Sequence, residues 1–102
     1  METTTRTALT LGQVVVTTAC WHRLHDDLDA DSARVLGLLR HLLERHRAGD
    51  WGDLDPEDWA ANDLARVGGG RLLSAYQLGP TRVWCITEAD RSVTTVLLPS
   101  DY

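Results

Sequence analysis

Apolar and polar positions alternate along this chain in two different rhythms. The first apolar run, Val14-Val15-Val16, continues into Thr17-Thr18 and is β-branched throughout, which predicts a strand within residues 9–18. Residues Cys20 to Leu28 follow as a short predicted helix. Beyond it, Val35, Leu36, Leu39, Leu42, Leu43 and His46 recur at three- and four-residue steps. That spacing gathers them on one face of a longer helix. Asp31 or Ser32 supplies its cap, and Gly49 ends it. A second helix start is written at Asp55-Pro56-Glu57-Asp58: a capping acid, a proline in the first turn, and acids at the positive end of the helix dipole. This helix carries Trp59, Ala60, Leu64 and Val67, and Gly68-Gly69-Gly70 stops it.

From Arg71 the helical rhythm gives way to short β-rich runs. Arg71 to Leu78, Arg82 to Glu88 and Val93 to Leu98 read as three strands. The turns Gly79-Pro80-Thr81 and Ala89-Asp90-Arg91-Ser92 join them. Strands on such short turns make an antiparallel meander, which the apolar helix face would cover. The expected fold is therefore α+β: helices followed by a three-stranded antiparallel meander, with the N-terminal strand available to extend it. There is no internal repeat and no linker. One domain over residues 9–102 is expected, behind a Thr-rich flexible N-terminus at residues 1–8.

Charge changes this picture in one respect. The chain carries a net charge of −5, distributed unevenly. Residues 26–63 hold eleven acids against four arginines, whereas the remainder is slightly basic. An acidic surface disfavours a general nucleic-acid coat, which needs a basic stripe, and suits a partner with a basic surface. Every fixed positive charge is arginine, a pattern that coding bias explains without a functional reason. No stretch approaches the roughly 20 apolar residues of a membrane span. The N-terminus lacks the plan of a signal peptide, so a cytoplasmic location is expected. Cys20 and Cys85 are too few for a disulfide framework and are expected as buried thiols.

The residues that could carry chemistry fall into three groups. His46 lies on the apolar stripe in the last turn of the long helix. It is either a general acid–base group at the edge of the core or a core histidine satisfied by a backbone carbonyl or by Asp50. On the sheet, Arg71, Ser74, Tyr76, Thr87, Glu88, Asp90, Arg91, Thr94 and Thr95 bring arginines next to hydroxyls. Such a set binds phosphate, or is simply a solvated sheet face. Alternation puts Ser74 and Tyr76 on one face with Leu72 and Leu78, and Arg71 on the other with Leu73 and Ala75. His22 and His25, with Cys20 before them, could offer metal ligands, but no second pair at zinc-like spacing exists. Neither a metal nor a cofactor is expected. Of the four tryptophans, Trp51 on its acidic turn is the expected contact residue.

Several segments resemble a family of short proteins of bacterial plasmids and other mobile elements. These are His46-Arg-Ala-Gly-Asp-Trp-Gly-Asp-Leu54, Asn62-Asp63, Gly70-Arg-Leu-Leu-Ser-Ala-Tyr76, and the block from Trp84 to Tyr102. The Leu9-Thr-Leu-Gly-Gln opening fits as well. The likeness fails between Ala19 and Leu43, where this chain has its own His- and Asp-bearing segment. Family members often carry a restriction-subunit label, a role that needs a methyltransferase or helicase and does not fit a chain of 102 residues. A looser likeness of architecture is to small ribonucleases and toxins of the barnase and RelE type, which set helices before an antiparallel sheet.

Two expectations result. In the first, the chain is a small acidic accessory protein of mobile elements. It binds a macromolecular partner with a basic surface, and the mobile-element setting points to inhibition of a host defence system. Asp50, Trp51, Asp53, Asp58, Tyr76 and Glu88 form its contact set. The alternative is a metal-independent ribonuclease of toxin type. His46 would shuttle the proton, Arg71 and Arg91 would stabilise the phosphorane, and Thr95 or Tyr102 would orient the phosphate. An open edge of the small sheet also offers a route to a homodimer.

Overall fold

In a computed structural model, which describes residues 9–102, the elements follow the order strand, three helices, three strands. They are β1 (Gln13–Val16), α1 (Thr18–Leu28), α2 (Ser32–Arg47), α3 (Pro56–Gly68), β2 (Leu72–Leu78), β3 (Thr81–Thr87) and β4 (Val93–Leu97), with a short 3-10 turn at Pro99–Asp101. The expected flexible N-terminus lies outside the described residues. Each helix begins at a side-chain cap: the Thr17 hydroxyl accepts from the Cys20 amide, Asp31 from that of Arg34, and Asp55 from that of Asp58. Thr17 and Thr18, expected within the first strand, instead open α1, because Thr17 serves as its cap.

The α+β class is as expected, and the sheet is larger. Strands β2, β3 and β4 form the antiparallel meander. The N-terminal strand joins as β1, pairing with β4 in parallel, so the four-stranded sheet is mixed, in the order β1-β4-β3-β2. The two sequence-distant strands run in the same direction because the three helices intervene and return the chain to the far edge of the sheet.

Helices α1 and α2 cover one sheet face, the inner face. Cys20, Leu24, Val35, Leu39 and Leu42 pack there against Tyr76, Val83, Cys85 and Val96. Burial pushes the Cys20 thiol up to about 11 and the Cys85 thiol up to about 12, as befits inert core thiols. A smaller cluster of Leu9, Trp51 and Leu72, flanked by Leu54 and Trp59, closes the β2 end. There the edge of β2 is occupied. The Ala75 amide donates to the Trp51 carbonyl and the Asp53 amide to the Ala75 carbonyl, at 3.1 and 2.7 Å. The Asn62 side chain donates to the Leu73 carbonyl and accepts from its amide, so one amide group stands in for a neighbouring strand. Gly52 allows this approach: its φ is +75°, and a side chain there would strike the Ala75 carbonyl.

Candidate functional site

The long helix delivers His46 to the inner face, over the C-terminal end of β3, fully buried. Val35, Leu39, Leu42 and His46 are its four buried positions, spaced four, three and four apart, so the same stripe that seats α2 on the sheet carries the imidazole. Its Nδ1 lies 2.5 Å from the Ser74 hydroxyl on β2, and its Nε2 lies 2.8 Å from the Thr87 hydroxyl on β3. Thr87 and Thr94 are direct cross-strand partners with hydroxyls 2.7 Å apart. Thr94 in turn donates to the Leu11 carbonyl at 2.7 Å.

That last bond fixes the direction of the whole chain. Thr94 spends its proton on Leu11, so it accepts from Thr87. Thr87 then accepts from His46 Nε2–H, which leaves Nδ1 to accept from Ser74. In the neutral ring the one proton therefore sits on Nε2. Desolvation by burial holds its pKa down to about 4, with the charges of Arg91 and Arg66 adding to the effect. The edge of the ring meets Trp51 with centroids 5.5 Å apart. All of these side chains are sealed: His46, Trp51, Ser74, Thr87 and Thr94 each have no exposure. A general acid–base group must reach its substrate within hydrogen-bond distance. Here both ring nitrogens are already spent on core hydroxyls.

The remaining members of the proposed ribonuclease set lie elsewhere. Arg71 and Thr95 alternate with the buried Leu72, Thr94 and Val96 and so belong to the outer face, where Arg71 holds Tyr102. Arg71 donates to the Tyr102 hydroxyl at 2.6 Å, lies 5.3 Å from that ring, and pairs with Glu88 at 3.4 Å. Tyr102 also meets Trp84 edge-on at 5.6 Å. Arg91, in the β3–β4 turn, spends its guanidinium on backbone carbonyls of Ala65, Gly70, Glu88 and Ala89. It braces the end of α3. The sheet therefore stands between His46 and Arg71, and the five residues do not converge.

The expected contact set is also divided. Trp51 is not an exposed residue of an acidic turn. It is fully buried, with its indole N–H donating to Asp63 at 2.9 Å, because the turn folds back against β2. Tyr76 is likewise in the core, donating to the Asp50 carbonyl at 2.6 Å under the Arg45 guanidinium. Asp50 is held by Arg45 at 2.7 Å, which keeps its carboxyl below the usual carboxylate range, with further help from the Gly52 amide. Asp53 lies 3.9 Å from Arg82. Asp58 is exposed in the first turn of α3. As for the histidine pair of α1, His25 is engaged by the Trp21 carbonyl and the Ser32 hydroxyl. Among the described residues no group of three His, Cys, Asp or Glu side chains converges on a metal-sized site.

The feature that sequence reading missed is the orientation of α3. Steps of three and four residues put Trp59, Asn62 and Arg66 on the side facing the domain, where Asn62 is buried. The same steps put Ala60, Leu64 and Val67 on the opposite side. Leu64 is 76% exposed and Val67 is 89% exposed. Glu57 and Asp63 flank this apolar stripe, and a shallow hollow of about 370 Å³ adjoins it, lined by Leu54, Pro56, Trp59, Ala60 and Asp63. The available signal was Asn62, a polar residue at the phase of Trp59 and Arg66 and out of phase with Leu64.

No known family model, curated protein or solved structure matches this chain. Among the described residues no helix is long and apolar enough to cross a membrane.

Proposed function

We propose that this chain is a binding module, a small acidic accessory protein of mobile elements that docks a protein partner through α3 and the acidic segment leading into it. The observation that carries the reading is the outward apolar stripe of α3. A soluble domain ordinarily turns such a stripe inward, and a contiguous exposed one marks an interaction surface. Its surroundings state what the partner must look like. Residues 48–65 contain Asp50, Asp53, Asp55, Glu57, Asp58 and Asp63 and no lysine or arginine. A matching surface has an apolar centre to receive Leu64 and Val67, with lysines or arginines at its rim. Complementary charge of this kind speeds encounter and rejects wrong partners more than it adds affinity.

A host defence nuclease, whose nucleic-acid channel is basic, would be a partner of this kind, and its inhibition is the role the mobile-element likeness points to. The ribonuclease alternative gains no support, since a single centre needs His46 and Arg71 on the same side of the sheet.

Comparative capture tests the reading. Immobilised wild-type protein and its Leu64→Asp/Val67→Asp variant are incubated with the same bacterial extract at low and high salt, and bound proteins are quantified. The expected result is a basic protein enriched on the wild type, released by salt, and lost from the variant. A partner retained by the variant, or no basic protein enriched on the wild type, overturns the proposal.

A further inference from the structure

The two edges of the sheet are treated differently. The β2 edge is occupied by Trp51–Asp53 and Asn62. The β1 edge has no strand beside it among the described residues. Gln13 and Thr17 donate to β4-side carbonyls, those of Ser92 and Val96. In a ladder of period two, Val14 and Val16 therefore aim their N–H and C=O groups away from the sheet. Natural edge strands are usually guarded by a charge, a proline or a bulge. Gln13-Val14-Val15-Val16 has no charge and no proline. Its side chains are open as well, with Val14 40% and Val15 38% exposed.

An apolar groove of about 320 Å³ adjoins this edge, between β1 and α2, lined by Val14, Val16, Leu36, Leu39, Arg40 and Leu43. Leu36 is 53% exposed. The lining contains no acid. This decides the occupant, because a molecule of net charge −5 repels its own copies over most of its surface. The β1–α2 patch, bearing Arg40 and no carboxylate, is where two copies meet at least electrostatic cost. The acid-flanked stripe of α3 is where they do not.

We infer that the chain forms a two-fold symmetric dimer by antiparallel pairing of β1 with β1 of a second copy. The axis passes beside Val15. Val14 of each copy then lies opposite Val16 of the other, and each such pair exchanges two backbone hydrogen bonds. The two sheets become one continuous sheet of eight strands, and the grooves of the two copies close against each other over the inner face. This inference is independent of the partner-binding role of α3, which stays exposed at the far edges.

The geometry names its own test. Val15 would face Val15 across the axis as a directly opposed pair, so Val15→Lys sets two like charges against each other without touching the core of either copy. Sedimentation velocity of the wild type over a concentration series should show a monomer–dimer equilibrium. Val15→Lys should weaken dimerisation by at least about tenfold at an unchanged circular dichroism spectrum. Val15→Thr, uncharged and β-branched, should restore it. A wild type that stays monomeric throughout the series overturns the inference. So does a dimer that survives Val15→Lys, or one that Leu64→Asp/Val67→Asp abolishes instead.

Discussion

Helices α2 and α3 are built from the same kinds of residues and face opposite ways. α2 turns Val35, Leu39, Leu42 and His46 into the core, and α3 turns Leu64 and Val67 into solvent. The difference lies in what each helix offers the sheet. α2 offers a stripe that fills the inner face and ends in a histidine whose two ring nitrogens meet the Ser74 and Thr87 hydroxyls. α3 offers Asn62, which caps a strand edge by hydrogen bonds and asks for little apolar contact. One helix holds the fold together. The other is held to it mainly by polar contacts, through Asn62, Asp63, Arg66 and the Ala65 carbonyl, leaving its apolar side for something else.

The contrast is broken most directly at His46. His46→Ala leaves a cavity and strands the Ser74 and Thr87 hydroxyls in the core. It should cost about 4 kcal/mol in chemical denaturation, combining lost packing with unsatisfied polar groups. A cost under about 1 kcal/mol would mean that the polar chain is incidental to the fold.

Acid probes the same residue without mutation. The folded imidazole titrates at about 4 and the unfolded one near 6.5. Between these values the unfolded chain binds a proton that the folded one does not, so stability falls as pH drops through this window and is fully present above it. The loss should approach about 3 kcal/mol on going from pH 7 to pH 4. It should be absent in His46→Gln, provided that variant folds. Denaturation midpoints measured across that range check both statements.

A smaller effect is expected at the other helix. Asn62→Ala removes both bonds to Leu73 and should cost about 1–2 kcal/mol, with faster amide exchange at Leu73. The smallest is at the outward stripe. Leu64→Asp and Val67→Asp should each change stability by no more than about 0.5 kcal/mol, because both side chains are largely exposed. A loss of several kcal/mol there would place α3 among the core elements and remove the reason to regard it as a contact surface.

Much of this architecture could be read from the chain before folding it. Asp31 and Asp55-Pro56 announce their helices because caps are local, and the three C-terminal strands follow from short turns between β-rich runs. The partners of His46 could not be read in the same way. Ser74 and Thr87 lie 28 and 41 residues away, and only the register of β2 against β3 brings both under the ring. Trp51 misled for a related reason. Its acidic neighbours look like a solvated turn, yet Asp50 is neutralised by Arg45 and Asp63 accepts a hydrogen bond from the indole N–H, so the ring sinks between them. The parallel β1–β4 pair is the most distant relation of all, and no local pattern records it.

That pair also settles how the molecule bears a load. β1 lies near the start of the chain and β4 near its end, side by side and pointing the same way. Tension applied to the two ends draws one strand back along the other. The backbone bonds between them are strained together in shear, where an antiparallel hairpin would unzip one bond at a time. A motor that pulls from either end, as protein-degrading machines do, meets its resistance at the first and last strands. The helices between them are released only after that bond line gives way.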